Sequence, residues 1–200
     1  MEIIETRIGI TAIFALALAW FFLHKYATKP VQKLLKKAAN NDPKAQYQLG
    51  LIFYADKKSE NHLEQAFSWF ETAANNGHVR AMVALAGLYN AGKGCKKNPR
   101  TAFKWYKTAA ETGDFEARVN LAICYLQGIG TEKDEQKAFE LMKAAADEHS
   151  PIAATLVGDF YSHGSGTEKD EQQAIKYYLK AAKQGEPFSQ KRLKDLQKKK

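Results

Sequence analysis

The chain has 200 residues, of which 45% are apolar and 26% charged, and a net charge of +8. Five prolines and 13 glycines are too few for a disordered or fibrous chain, and two cysteines, Cys95 and Cys124, offer no disulfide framework. Residues 25–41 and 191–200 each carry +5, whereas 42–190 carry −1; a nucleic-acid binder places its charge on the folded face that meets phosphate, so the near-neutral body argues against that class.

The first expected element is an anchor. Residues 8–23, "IGITAIFALALAWFFL", contain no charge. As a helix, sixteen residues rise about 24 Å, short of a hydrocarbon core of about 30 Å. Trp20 and Tyr26 suit the interfacial belt, and Lys25 can snorkel. A cleaved signal peptide is the competing reading, but Glu2 and Glu5 outnumber Arg7 ahead of the segment, and no small-residue cleavage site follows it. Residues 1–29 therefore read as a single-pass anchor with a basic flank. Lys25, Lys29 and Lys33 are placed to meet anionic headgroups. Five lysines follow the segment, and Arg7 with the amino terminus precedes it; the positive-inside rule puts the body in the cytoplasm. A periplasmic body is the alternative, because large domains can cross despite nearby charge.

Residues 30–44 read as a capping helix, with Pro30 marking a bend. From there the chain repeats every 36 residues. Ala45, Ala81, Ala117 and Ala153 share a column; so do Leu49, Leu85, Leu121 and Val157. Phe53, Tyr89, Tyr125 and Tyr161 form an aromatic column, and Ala66, Ala102, Ala138 and Ala174 repeat without exception. The repeats are drawn at 45–80, 81–116, 117–152 and 153–188, with a terminal helix and basic tail at 189–200.

Each unit predicts two helices. The first follows Asp42, His78, Asp114 or Ser150 and spans 43–55, 79–91, 115–127 and 151–163. The second starts after His62, Asn98, Asp134 or Asp170 and ends at Gly77, Gly113, His149 or Gly185, spanning roughly 63–76, 99–112, 135–148 and 171–184. Short polar residues cap free N–H groups, and glycine permits the left-handed turn that closes a helix. A last segment, 187–197, resembles a first helix without its partner and reads as the C-terminal cap. "GTEKDEQKA" at 130–138 and "GTEKDEQQA" at 166–174 then read as connectors. They lack the Lys-Ser or Lys-Thr of a phosphate loop and the alternating acidic residues of a calcium loop.

Ala81, Leu85, Tyr89, Gly92, Gly94, Ala102, Trp105, Tyr106, Ala109, Ala110 and Gly113, with their equivalents one period away, resemble the Sel1-like repeat family, a branch of the tetratricopeptide-like α-solenoids. The resemblance covers about residues 45–188. It departs in the first unit, where Asp56 and Lys58 replace two glycines, so that loop is expected to differ while the helices hold. The resemblance implies an all-α solenoid, a right-handed superhelix of four helix-pair repeats with terminal capping helices, and a role as adaptor or scaffold rather than enzyme.

The residues agree with a non-enzymatic role. His24, His62, His78, His149 and His163 are dispersed, and no nucleophile elbow is present. No catalytic, cofactor or metal site is expected. In solenoids of this type the first helices line the concave face. That assigns partner contact to Lys44, Tyr47, Tyr54, Arg80, Val83, Asn90, Glu116, Val119 and Leu126, with Ile152, Thr155 and Ser162 continuing the same columns. A protein or peptide partner is expected there. The alternatives are an envelope-assembly or toxin-immunity protein of the same shape, and nucleic-acid binding through the tail "KRLKDLQKKK".

Overall fold

The computed structural model describes residues 29–147 and 150–197. The expected anchor, 8–23, and its neighbour Lys25 lie outside the described residues, as does His149. Among the described residues no helix is long and apolar enough to cross a membrane. All the regular structure described is helical: α1 (Lys29–Ala39), α2 (Pro43–Ala55), α3 (His62–Asn75), α4 (Val79–Ala91), α5 (Pro99–Glu111), α6 (Phe115–Gln127), α7 (Glu135–Asp147), α8 (Pro151–His163), α9 (Glu171–Ala182) and α10 (Pro187–Gln197). The chain forms two compact units, Met1–Asn98 and Pro99–Lys200.

The caps explain the helix starts. Asp42 Oδ1 accepts from the N–H of Lys44 and Ala45, at 2.9 and 3.3 Å. Asp114 and Ser150 accept from Ala117 and Ala153, at 2.8 and 3.2 Å. Asp134 and Asp170 accept from Lys137 and Gln173, at 3.0 and 2.9 Å. Each satisfies a donor that the first turn leaves orphaned. One expected start is corrected. His62 is the first residue of α3, not its cap; Asn61 holds that place, with no side-chain bond. The His62 ring instead turns back to the Ser59 carbonyl, at 2.7 Å.

In the Met1–Asn98 unit, Leu35 and Ala38 of α1 pack with Ala45 and Leu49 of α2, flanked by Trp69 of α3. Asn41 takes φ +59 between α1 and α2, the place Gly77 takes between α3 and α4. Asparagine tolerates that left-handed conformation better than most residues. In the Pro99–Lys200 unit, Ala122, Met142, Ala146, Ala154, Val157 and Phe160 belong to one buried cluster.

A recurring ring pair fastens the helices of a hairpin. Phe67 meets Tyr89 edge-on at 5.1 Å; Phe103 meets Tyr125 at 5.4 Å, and Phe139 meets Tyr161 at 5.2 Å. Such pairs contribute about 0.5–1.5 kcal/mol beyond the area they bury. The same tyrosines accept, through their backbone carbonyls, from the N–H of Asn98, Asp134 and Asp170, at 2.8, 2.9 and 2.9 Å, which closes each connector.

Two sets of glycines have separate reasons. Gly92, Gly128 and Gly164 end α4, α6 and α8 in the left-handed conformation. Gly94, Gly130 and Gly166 are left-handed too, but a Cβ there would also run into the backbone carbonyl of Leu63, Pro99 or Glu135. The connector therefore rests, backbone to backbone, on the first turn of an earlier helix. The first connector, 56–61, has neither glycine, and Asp56 closes α2 at φ −79.

Candidate functional site

The residues expected to meet a partner fall in both units. In the Met1–Asn98 unit, Lys44 and Arg80 are exposed, each in the first turn of its helix. Both lie close enough to His78 to press its pKa below the ordinary 6.5, behind the larger effect of burial. The His78 ring also stacks on Tyr47, with centroids 4.5 Å apart, and its Nδ1 accepts from the Ala81 N–H at 3.2 Å. Lys44, Tyr47 and Arg80 thus converge on one capping imidazole held neutral. Tyr47 is half-buried and tilts onto Phe70 at 5.7 Å, so it is part of the packing as well as of the face. Val83 and Asn90 are half-buried on α4.

Tyr54 goes elsewhere. It is 42% exposed and stands with Leu51, 43% exposed, over an apolar cavity of about 300 Å³. Phe70 and Leu88 line it from the core, Ala84, Gly87 and Ala91 line it from α4, and Lys93 lies at the end of α4. Only Tyr54 of this set was expected from the sequence. The signal that points to the rest is the spacing of Ala84, Gly87 and Ala91, which puts three small residues on one face of α4, where the other first helices carry Gln48, Leu51 and Ala55, Asn120, Ile123 and Gln127, or Leu156, Asp159 and His163.

In the Pro99–Lys200 unit, Glu116 is exposed, whereas Val119 and Leu126 are half-buried against the core cluster. Ile152 is 62% exposed. Thr155 is buried rather than presented: its hydroxyl bonds the Pro151 carbonyl at 2.9 Å and the Ser189 hydroxyl at 2.7 Å. Ser162 joins a polar lock. The Tyr178 hydroxyl donates to Asp159 at 2.7 Å and approaches Ser162 at 3.4 Å. Arg192 grips the same carboxylate with Nε at 2.9 Å and Nη2 at 3.2 Å. Burial, with the Asp159 charge alongside, pushes the Tyr178 phenol up to about 12.

Cys124 is buried among apolar residues and its thiol is pushed up to about 11 by burial. Half-buried Cys95 places its sulfur 3.7 Å from the Leu88 carbonyl, and burial raises its pKa also. Both are poor nucleophiles at neutral pH. Among the described residues, no three His, Cys, Asp or Glu side chains gather as a metal would require.

Paired helices of 12–14 residues, ring pairs at a constant period and connectors seated on earlier helices define a tandem helix-hairpin repeat protein. The Sel1 repeat profile matches residues 43–78, 79–114, 115–150 and 151–186, and the chain belongs to the Sel1 repeat family. Among solved structures it is similar to a protective antigen with an SLR fold from uropathogenic Escherichia coli, at 32% identity and a TM-score of 0.75, over 80% of this chain and 34% of that one. A Sel1 repeat protein from Oxalobacter formigenes matches at 29% identity and a TM-score of 0.71, over 76% of this chain and 62% of that one. This chain thus spans less than two thirds of either relative. A Sel1 repeat protein from Klebsiella pneumoniae shares the fold at 18% identity and a TM-score of 0.55, over 93% of both chains. No curated protein matches.

Proposed function

We propose that this protein is a non-enzymatic adaptor, tethered to a membrane through residues 8–23, that captures a protein partner on its first helices. The observation that carries the reading is the face of α2 and α4. These two helices carry exposed Lys44 and Arg80 beside His78 and, at the separate apolar opening, exposed Leu51 and Tyr54, and neither helix contains an acidic residue. Sel1 repeats commonly serve protein–protein interaction, and a solvated face that keeps large apolar side chains uncovered is suited to that use. The apolar run 8–23 and the five lysines that follow it support the tether and a cytoplasmic body.

The test is pull-down of the full chain from detergent extract beside its Lys44→Glu, Arg80→Glu double variant. Both side chains are exposed, so the fold is preserved, whereas Tyr47→Ala would also disturb the stack on His78. A stoichiometric partner that is lost from the double variant is expected; equal recovery removes this face from the reading. A C-terminal reporter active only outside the cytoplasm would reverse the orientation.

A further inference from the structure

Four positions recur three periods of 36 apart, and two of them, 51/159 and 84/192, change from apolar to charged. Leu51, Tyr54, Phe70 and Ala84 correspond to Asp159, Ser162, Tyr178 and Arg192. The packing beneath them is the same: a Cβ on Gly50 would lie 2.5 Å from the Phe70 ring, and one on Gly158 would lie 2.5 Å from the Tyr178 ring. In the Pro99–Lys200 unit a helix, α10, brings the Arg192 side chain to this place, where Asp159 takes it in two hydrogen bonds. In the Met1–Asn98 unit the place opens into the cavity of about 300 Å³, and Ala84 contributes only a methyl group.

Gly87 keeps that opening. It sits mid-helix without a positive φ, so no turn calls for it. An interior glycine costs a helix about 1 kcal/mol against alanine. The one charged residue that lines the opening is Lys93. Helices α2 and α4 and the connector 92–98 carry Lys44, Arg80, Lys93, Lys96 and Lys97 and no acidic residue. Asp42 and Asp56, at the ends of α2, accept from the backbone N–H groups of Lys44, Ala45 and Lys58. Glu71 of α3 is bonded to Tyr89.

Resting on the adaptor reading, we propose that the slot between α2 and α4 seats an apolar side chain carried by an acidic amphipathic helix of the partner protein. Arg192, from the counterpart of α4, shows that the place holds one long side chain, which Ala84 does not supply. The apolar lining selects Leu, Ile, Phe or Met in place of Arg. Lys93 at the rim selects Glu or Asp beside the apolar residue, and the basic surplus of α2, α4 and the connector 92–98 disfavours a basic helix.

The probe is a displayed random-peptide library selected on the full chain in detergent micelles. The enriched peptides should combine a large apolar residue with acidic neighbours. Gly87→Leu, which fills the slot, should weaken the enriched pool at least about tenfold, the effect of withholding burial from one apolar side chain. Ala91→Leu does the same from an exposed position and serves if Gly87→Leu does not fold. Lys93→Glu should weaken binding several-fold and flatten its salt dependence. A pool that is basic, or one that binds Gly87→Leu and Ala91→Leu unchanged, overturns the slot, as does the absence of any enrichment. Peptides that survive Gly87→Leu but are lost on Lys44→Glu with Arg80→Glu would leave the adaptor face standing and remove only the slot.

Discussion

Individual glycines in this chain differ in what they cost to replace, and the structure says which. Gly130 and Gly113 both have positive φ, +71 and +89. A Cβ at Gly113 meets nothing within 4 Å, so Gly113→Ala carries only left-handed strain, about 1–2 kcal/mol. A Cβ at Gly130 would collide with the Pro99 carbonyl and the Arg100 nitrogen, so Gly130→Ala adds displacement of a connector from a helix. We expect its urea midpoint to fall at least about twice as far as that of Gly113→Ala. Equal falls would mean that the connector yields freely. This distinction was not legible in the sequence, where both are simply glycines in repeating columns. The left-handed turn could be read from the column, but the carbonyl beneath Gly130 is brought there by a helix that begins 31 residues earlier.

Helices, by contrast, were largely legible, because their ends are set by local chemistry. α2, α4, α6 and α8 start where Asp42, His78, Asp114 and Ser150 require; the last three stop at their closing glycines, and α2 stops at Asp56. The start of α3 differs by one residue because His62 stands in the capping column, while Asn61, with no side-chain bond, occupies the cap position. Among the caps of these four helices, His78 is the one imidazole. Its folded pKa lies below 6.5, chiefly through burial and then through Arg80, with Lys44 adding and Asp42 opposing. The unfolded chain therefore binds the extra proton, and the stabilisation by neutral His78, present above pH 6.5, is lost as pH falls through the lower folded value. Protonation also removes the Nδ1 acceptor that holds the Ala81 N–H. His78→Asn keeps a good cap that does not titrate. Wild type should therefore lose more stability than His78→Asn between about pH 7.5 and pH 5.5, measured by urea unfolding; parallel losses would show that the cap does not depend on charge.

At the scale of the molecule, the chain treats equivalent places in two ways. It closes one with Arg192 from α10 and leaves the other apolar and open. Neither outcome was legible residue by residue: Asp159, Tyr178 and Arg192 look like unrelated surface substitutions until packing joins them, and the slot is defined by bulk missing at Ala84, Gly87 and Ala91. The terminal helix was foreseen as a cap, and it is bonded to α8 through Ser189 to Thr155 as well as through Arg192 to Asp159. Deleting 187–200 should cost about 2–3 kcal/mol, from uncovered apolar surface and the lost buried bond. For a chain of this size that lowers the thermal midpoint by roughly 4–12 °C, as calorimetry would show; an unmoved midpoint would make α10 a passive appendage. The glycine seats have a further consequence. Each of the connectors around Gly130 and Gly166 presses on Pro99 or Glu135, the opening residue of a neighbouring hairpin, and on nothing peculiar to one place in the series. A duplicated stretch of 36 residues brings both halves of that joint with it. The gene can therefore grow or shrink by whole cassettes, and new reading surfaces arise by copying first and diversifying afterwards.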